Sequence, residues 1–362
     1  MKVKISRDAL FSSIQIVQNI VSPRATLAIL SNLLIETKGT MLKFNTTDLD
    51  IGISCEVPVN ILEEGGITIP AKRFSDIVRE LPLGDIIITA KKNNQIDIEG
   101  PNCRFKLTGL PSEEFPKFPE FKDREAIRIN QKDLKEMLRL TSFAVSHEES
   151  RYVLNGVLLD ISDDRLRIVA TDGRRLAKIE KRLTTAVKKD VAVIIPTKAV
   201  YEILRNLQDD GEISFVLGTN QVLFDIGGVL IATRIIEGEF PNYNQVIPPS
   251  VTPAVKMKTQ DFLSALRRAN LFATQDFQAI KLEVFRDKIV VSKITPDVGE
   301  SREDVPADYG GSELIIGFNP QFLIDVLKNV DQEKIEFELS SPDKPGVVRL
   351  GDYLYLALPM KI

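Results

Sequence analysis

Asp76-Ile77-Val78-Arg79-Glu80-Leu81 returns as Glu202-Ile203-Leu204-Arg205-Asn206-Leu207, and again as Asp325-Val326-Leu327-Lys328-Asn329-Val330. The three blocks stand 126 and 123 positions apart. Other anchors keep the step: Ile5, Ile129 and Met257 each precede an apolar residue at Leu10, Leu134 and Phe262, at intervals of 124 and 128. Glu114-Phe115-Pro116 recurs as Glu239-Phe240-Pro241, 125 positions on. Periods of roughly 20 to 50 residues mean solenoids; a period this long is the size of a whole domain. One domain has been copied three times.

Each copy opens with a short strand and an amphipathic helix. Ser6 or Asp8 caps the first, which carries Leu10, Ile14, Val17 and Val21; Asn130 caps the second, with Leu134, Met137, Leu138, Thr141 and Val145; Thr259 caps the third, with Phe262, Leu266, Ala269 and Ala273. Paired strand-like runs follow, with turns at Lys38-Gly39, Asp163-Asp164 and Arg286-Asp287. A strand ending at Pro70, at Pro196 or at Asn319-Pro320 leads into the second helix, which is the repeated block, and further alternating segments close each copy. The class is α+β: three tandem copies at 1–121, 127–247 and 255–362, with antiparallel sheets and two helices per copy. Pro-rich connectors follow the first two copies at 114–124 and 239–253, whereas the third stops at Leu358-Pro359-Met360-Lys361-Ile362, expected to be a short free tail leaving a sheet edge.

The chain has 362 residues, enough for two or three cores, and ordinary globular proportions of 43% hydrophobic and 27% charged residues. No apolar run reaches the ~18 residues of a membrane span, and Met1-Lys2-Val3-Lys4-Ile5 alternates like a strand, so a cytoplasmic location is expected. Cys55 and Cys103 fall in the first copy alone, which rules out a shared disulfide framework and favours small buried hydrophobes.

Catalytic machinery is hard to find. His147 is the single histidine, and neither a Walker loop nor a GxGxxG is present. Gly65-Gly66, Gly227-Gly228 and Gly310-Gly311 read as turns. The pairs Asp48/Asp50 and Asp163/Asp164 resemble metal ligands, but Asp163-Asp164 sits in a hairpin turn, where Asp is common for backbone reasons. No metal, no cofactor and no catalytic residue is expected. The basic residues are more telling. Lys72, Arg73 and Arg79 flank the second helix of copy one, Lys198 and Arg205 that of copy two, and Lys328 that of copy three. The opening helices add Arg7, Lys132, Lys135, Arg139, Arg267 and Arg268. For one helix this is a solvated polar face; in a triplicated domain it makes a basic helical surface within a molecule of net charge −4. Such a surface contacts phosphates without reading bases.

Several long motifs then carry a resemblance. They are Arg24-Ala25-Thr26-Leu27-Ala28-Ile29-Leu30-Ser31-Asn32-Leu33-Leu34, Thr47-Asp48-Leu49-Asp50, Arg151-Tyr152-Val153-Leu154-Asn155-Gly156, Ala170-Thr171-Asp172-Gly173-Arg174-Arg175-Leu176, Glu239-Phe240-Pro241-Asn242-Tyr243 and Gly317-Phe318-Asn319. In this order, over essentially the whole chain, the sequence closely resembles the β subunit of bacterial DNA polymerase III, the sliding clamp.

The resemblance implies a head-to-tail homodimer closing a ring around duplex DNA, helices inside and sheets outside. Such a clamp is non-catalytic, slides without sequence preference, and tethers a polymerase at high effective concentration. Its partners would be a clamp loader, the replicative polymerase and repair proteins, docking through short hydrophobic peptides. The resemblance places the peptide groove on Leu154, Thr171, Gly173, Arg174, Arg175, Leu176, Pro241, Val246, Asn319, Phe322, Leu356, Leu358, Pro359 and Met360, although Leu154, Leu176 and Leu358 taken alone read as core. DNA contact is carried onto Arg24, Tyr152 and Lys198, to which the helix pattern adds Lys72, Arg73 and Arg205. The subunit interface falls on Phe105 and Leu107 against Leu271 and Phe272. The chain departs from the family pattern at Arg174, where histidine is common, at Gln245, where arginine can occur, and at Leu358, where methionine is common; Val153 replaces an occasional aromatic. Two other classes compete. A nuclease would use the aspartate pairs and show Mg²⁺-dependent turnover; a structural repeat or adhesion protein would need export. The related clamps of eukaryotes and archaea carry two domains per chain and form trimers, so three copies imply a dimer.

Overall fold

The structure is a computed structural model and describes residues 1–22, 27–119, 125–183, 190–250 and 252–362. Six α-helices lie among the described residues: Arg7–Val17 (α1), Ala71–Glu80 (α2), Gln131–Thr141 (α3), Thr197–Asn206 (α4), Thr259–Asn270 (α5) and Pro320–Asn329 (α6). Ser6 caps α1, its hydroxyl accepting from the Ala9 amide at 3.3 Å, while Asp8 lies inside the first turn. Leu10, Ile14 and Val17 form the buried stripe. The helix closes there into a 3₁₀ turn over Gln18–Ile20, so Val21, expected on the stripe, lies past its end. The third opening helix does not start from the expected cap at Thr259. Lys258 holds the cap position and Thr259 is the first helical residue, its amide donating to the Glu333 carbonyl at 2.9 Å and its hydroxyl to the Gln332 carbonyl at 2.6 Å.

The repeated block forms α2, α4 and α6, which bury Phe74 and Val78, Val200 and Ile203, and Leu323 and Leu327. Proline stands at each start, where its missing N–H removes no intrahelical bond: Pro70 at the α2 cap, Pro196 ending the strand before α4, and Pro320 at the first turn of α6. Each buried Phe, Leu, Ile or Val contributes roughly 1.5–3 kcal/mol, so the block recurs in the copies as a core-forming stripe while its other face stays polar.

Two compact units emerge, 1–132 with 198–235, and 133–197 with 236–362. The division cuts the middle copy because strands pair across the copy boundaries. In the first unit, Val229–Arg234 pairs antiparallel with Ile51–Pro58, placing Ala232 opposite Gly52. In the second, Tyr353–Ala357 pairs antiparallel with Arg175–Arg182, placing Leu356 opposite Leu176. The first unit holds a five-stranded sheet, with Arg104–Thr108 at its free edge, and an eight-stranded one; the second holds a twelve-stranded sheet. The triplication survives in detail as three isolated bridges, Thr68 to Leu110, Ile194 to Ile236 and Gly317 to Met360.

Candidate partner groove, DNA surface and subunit edge

The residues assigned to the groove gather around one turn of the second unit. Thr171 ends its strand and its hydroxyl donates to the Arg175 carbonyl at 2.5 Å, while accepting from the Gly173 amide at 3.0 Å. Asp172 Oδ1 accepts from the Arg174 and Arg175 amides at 2.8 and 2.9 Å, an Asx turn. Gly173 takes φ +85°, open to glycine without a Cβ penalty. A Cβ there would also lie 2.5 Å from Arg151 Nη1, which donates to the Asp172 carbonyl.

The resemblance lists Arg175 among the groove residues; its side chain is buried. Its guanidinium donates to Asp172 at 3.0 Å, to Asp325 at 2.6 Å and to the Phe143 carbonyl at 2.6 Å. It packs 4.7 Å from the Phe322 ring centroid. Burial works against the charge, yet Tyr355, Asp325 and Asp172 hold Arg175 above its ordinary value. Tyr355 is wholly buried, donates to the Phe322 carbonyl at 2.7 Å, and its hydroxyl is pushed far upward by burial. This core fixes Phe322 and the turn from below.

Leu154, Leu176 and Leu356 are buried, the last two in one cluster with Val169, Ile194, Ile236 and Tyr243. Phe240 packs on that cluster, and its neighbour Pro241 is exposed. Val246 and Leu358 present 53% and 38% of their surface to solvent and form the accessible apolar lip. The Leu358 amide donates to the Arg174 carbonyl at 2.8 Å and the Met360 amide to the Gly317 carbonyl at 2.8 Å, so the segment after the last strand is tied along the turn. Pro359 and Met360 are half-buried there. Asn319 caps α6, accepting from the Gln321 amide at 2.9 Å. The residues assigned to the groove therefore meet in one unit, as exposed lip, buried floor and buried support. Reasoning from sequence missed Asp172, Asp325, Tyr355 and Arg151 as supports. A Thr-Asp-Gly turn was a usable signal for Asp172; nothing local marked the others.

Of the residues expected to contact DNA, Arg24 lies outside the described residues. Lys72 and Arg73 are exposed on α2, Lys198 and Arg205 on α4. Two of these cations have acidic neighbours: Lys198 bonds Asp48, and Arg205 stands 3.7 Å from Glu202. Glu202 is buried, with Oε2 lacking a hydrogen-bond partner. Burial raises its pKa, with Arg205, Asn19 and Lys198 pulling it back. Tyr152 is 59% exposed in a 3₁₀ segment over Glu149–Leu154, interrupted at Arg151 by a non-helical φ of −113°.

Asp48 is committed to structure. Its Oδ1 accepts from the Asp50 and Ile51 amides at 3.0 and 2.8 Å, and its other oxygen takes Lys198. Asp163 occupies its hairpin turn at φ +53°. Among the described residues no cluster of three or more His, Cys, Asp or Glu side chains could hold a metal. Burial, then Glu56, pushes the Cys55 thiol up to about 12, far from thiolate reactivity.

Phe105 and Leu107 are half-buried on the free edge strand of the first unit. In the second unit Leu271 is 79% exposed just past α5, and the half-buried Phe272 receives the 295–299 turn, its carbonyl accepting from the Thr295 hydroxyl at 2.5 Å. Phe277, Ile294 and Val298 are also large, apolar and exposed.

One strand-and-helix pattern in three copies, cations exposed on α2 and α4, and an apolar lip beside a buried floor fit a clamp class of DNA-associated protein. Family models of the DNA polymerase III β subunit match in sequence order: the N-terminal domain over residues 1–119, the central domain over 128–242 and the C-terminal domain over 244–354. The β sliding clamp of Chlamydia muridarum is 32% identical over 363 residues, covering 100% of this chain and 99% of that one. That of Pseudomonas aeruginosa is 32% identical over 368 residues and covers all of both. Among solved structures, the P. aeruginosa clamp bound to griselimycin superposes with TM-score 0.95 at 31% identity, covering 100% of each chain. The Bacillus subtilis clamp gives 0.94 at 31% identity, covering 100% of this chain and 99% of that one. The chain belongs to the bacterial DNA polymerase III β-subunit family, the β sliding clamps. It consists of three tandem clamp domains and is a DNA sliding clamp, a non-catalytic processivity factor of the polymerase; a metal-dependent nuclease is not supported.

Proposed function

We propose that the chain works as a head-to-tail homodimeric ring around duplex DNA, built from domains bounded at 1–121, 127–247 and 255–362. In this reading the edge strand with Phe105 and Leu107 meets the Leu271–Phe272 face of a second copy, a heterologous contact that closes after two chains. Lys72, Arg73, Lys198, Arg205, Arg24 and Tyr152 face the duplex, binding phosphates without reading sequence. A ring needs little affinity, since topology retains it while a tethered polymerase rebinds. No helix among the described residues is long and apolar enough to cross a membrane, and the cytoplasm, where replication takes place in bacteria, is the proposed location.

The loader, polymerase and repair proteins dock in the groove of the second unit. The observation that supports this most directly is the 2.8 Å bond from the Leu358 amide to the Arg174 carbonyl, which sets an exposed leucine beside a buried apolar floor. One anchored Leu or Phe contributes roughly 1.5–3 kcal/mol, and backbone contacts bring the total to micromolar affinity. Calorimetry with a Gln-Leu-x-Leu-Phe peptide tests the assignment: deletion of Leu358 to Ile362 abolishes the heat while sedimentation still gives a dimer. Undiminished affinity places the groove elsewhere.

A further inference from the structure

The groove turn has an internal copy. In the first unit the Thr47 hydroxyl donates to the Ile51 carbonyl and accepts from the Leu49 amide, as Thr171 does with Arg175 and Gly173. Asp48 receives two amides as Asp172 does. The Arg234 amide donates to the Asp50 carbonyl at 2.8 Å, matching Leu358 and Arg174 atom for atom. The sheet register agrees, with Gly52 and Ala232 opposite each other where the groove has Leu176 and Leu356.

The substitutions change what the copy holds. Glycine and alanine in place of two leucines leave a crevice of about 110 Å³, also lined by Phe115 and Phe118 of the connector. Phe118 covers Gly52, since a Cβ there would sit 3.3 Å from its ring. At the turn, Leu49 stands where the groove has glycine. It is held at φ +79°, a conformation bulky residues avoid, and is half exposed. Lys117 and Arg234 line the crevice without an ion-pair partner among the described residues, and Asp50 is the one acid lining it.

We propose that this crevice is a second peptide-docking site, taking one leucine or phenylalanine side chain of an extended segment whose flanking residues are acidic. The inference rests on reading the second unit's groove as peptide-binding, because it extends that geometry to its internal copy. The space suits one side chain rather than a folded element. The rim selects carboxylates, where the main groove offers the exposed cation Arg174 alone among its turn residues.

The test uses the full chain and the acetylated peptide Glu-Glu-Leu-Phe-Glu, with benzoylphenylalanine replacing its phenylalanine. After irradiation, mass spectrometry maps the adducts. The expected result is labelling at Leu49, Phe115 or Phe118 in addition to any labelling of the main groove. The double variant Lys117→Glu/Arg234→Glu, both at the crevice rim, lowers the labelling of this crevice about tenfold and leaves main-groove adducts in place. A Gln-Gln-Leu-Phe-Gln version labels the crevice weakly. Adducts confined to the main groove, or crevice labelling indifferent to the charge reversal, overturn the second site. Absence of main-groove adducts with crevice labelling intact overturns the groove assignment instead, and the two failures are therefore distinguishable.

Discussion

Arg175 donates to the Asp325 carboxylate at 2.6 Å, so the first residue of the third repeated block anchors the turn that follows Thr171. Both partners are mostly buried. Removing one member of a buried pair leaves an uncompensated charge, which typically costs ~3 kcal/mol or more. Asp325→Ala is therefore expected to destabilise by about 2–4 kcal/mol, with Asp172 softening the loss. Because the same guanidinium supports Phe322, groove affinity falls as well. Denaturant titration beside calorimetry checks both effects; a variant within about 0.5 kcal/mol of the parent, the scatter of neutral surface changes, shows that the pair is not a support.

The subunit edge gives a second expectation. Leu271→Ala with Phe272→Ala removes a few kcal/mol of apolar burial from the proposed contact. Sedimentation at low micromolar concentration should find monomer. Because Leu271 is 79% exposed in the chain alone, the loss falls on assembly more than on the fold. A dimer that persists puts the interface elsewhere.

DNA contact is expected to be electrostatic. Neutralising Lys72, Arg73 or Arg205 weakens binding equally on any duplex and lowers the salt slope by about one for each phosphate the variant no longer neutralises. Lys198 behaves differently because Asp48 holds it. Asp48→Asn keeps the acceptor that the turn needs and releases the lysine, so DNA affinity should rise at low salt. A change in sequence preference, or no response to Asp48→Asn, contradicts this surface.

Glu202 predicts a pH dependence. Its pKa is raised above the ordinary 4.5, chiefly by burial, so the folded state holds its proton more tightly than the unfolded state. A raised folded pKa contributes stability that is full below the unfolded value and declines as pH rises through the folded value. Glu202→Gln should therefore gain on the parent in melting temperature as pH rises from about 4.5 toward neutrality. A constant difference across that range removes burial as the governing cause.

What the sequence disclosed was whatever repeats or alternates. The three blocks announced α2, α4 and α6 because a helix stripe and a preceding proline are local signals. Edge strand Arg104–Thr108 was visible in its alternation, and Phe105 and Leu107 with it. The middle copy's division between two units was not legible, since the pairing of Ile51–Pro58 with Val229–Arg234 joins residues far apart in sequence. The buried contacts of Arg175 were not legible for a related reason: its carboxylates lie three and 150 positions away, and only the nearer is a local feature. The helix start at Lys258 was not legible either, since the Thr259 amide and hydroxyl are held by the Glu333 and Gln332 carbonyls, more than 70 positions on.

The central claim is topological retention, and one measurement reaches it directly. The clamp is loaded on a nicked circular duplex, separated from free protein, and the DNA is then cut once at a distant site. A closed ring stays on the circle through high-salt washing and leaves on linearisation by sliding off the ends. Equal retention on circle and line, or loss from both in salt, would mean that ordinary surface affinity holds the protein to DNA and that no ring encloses it.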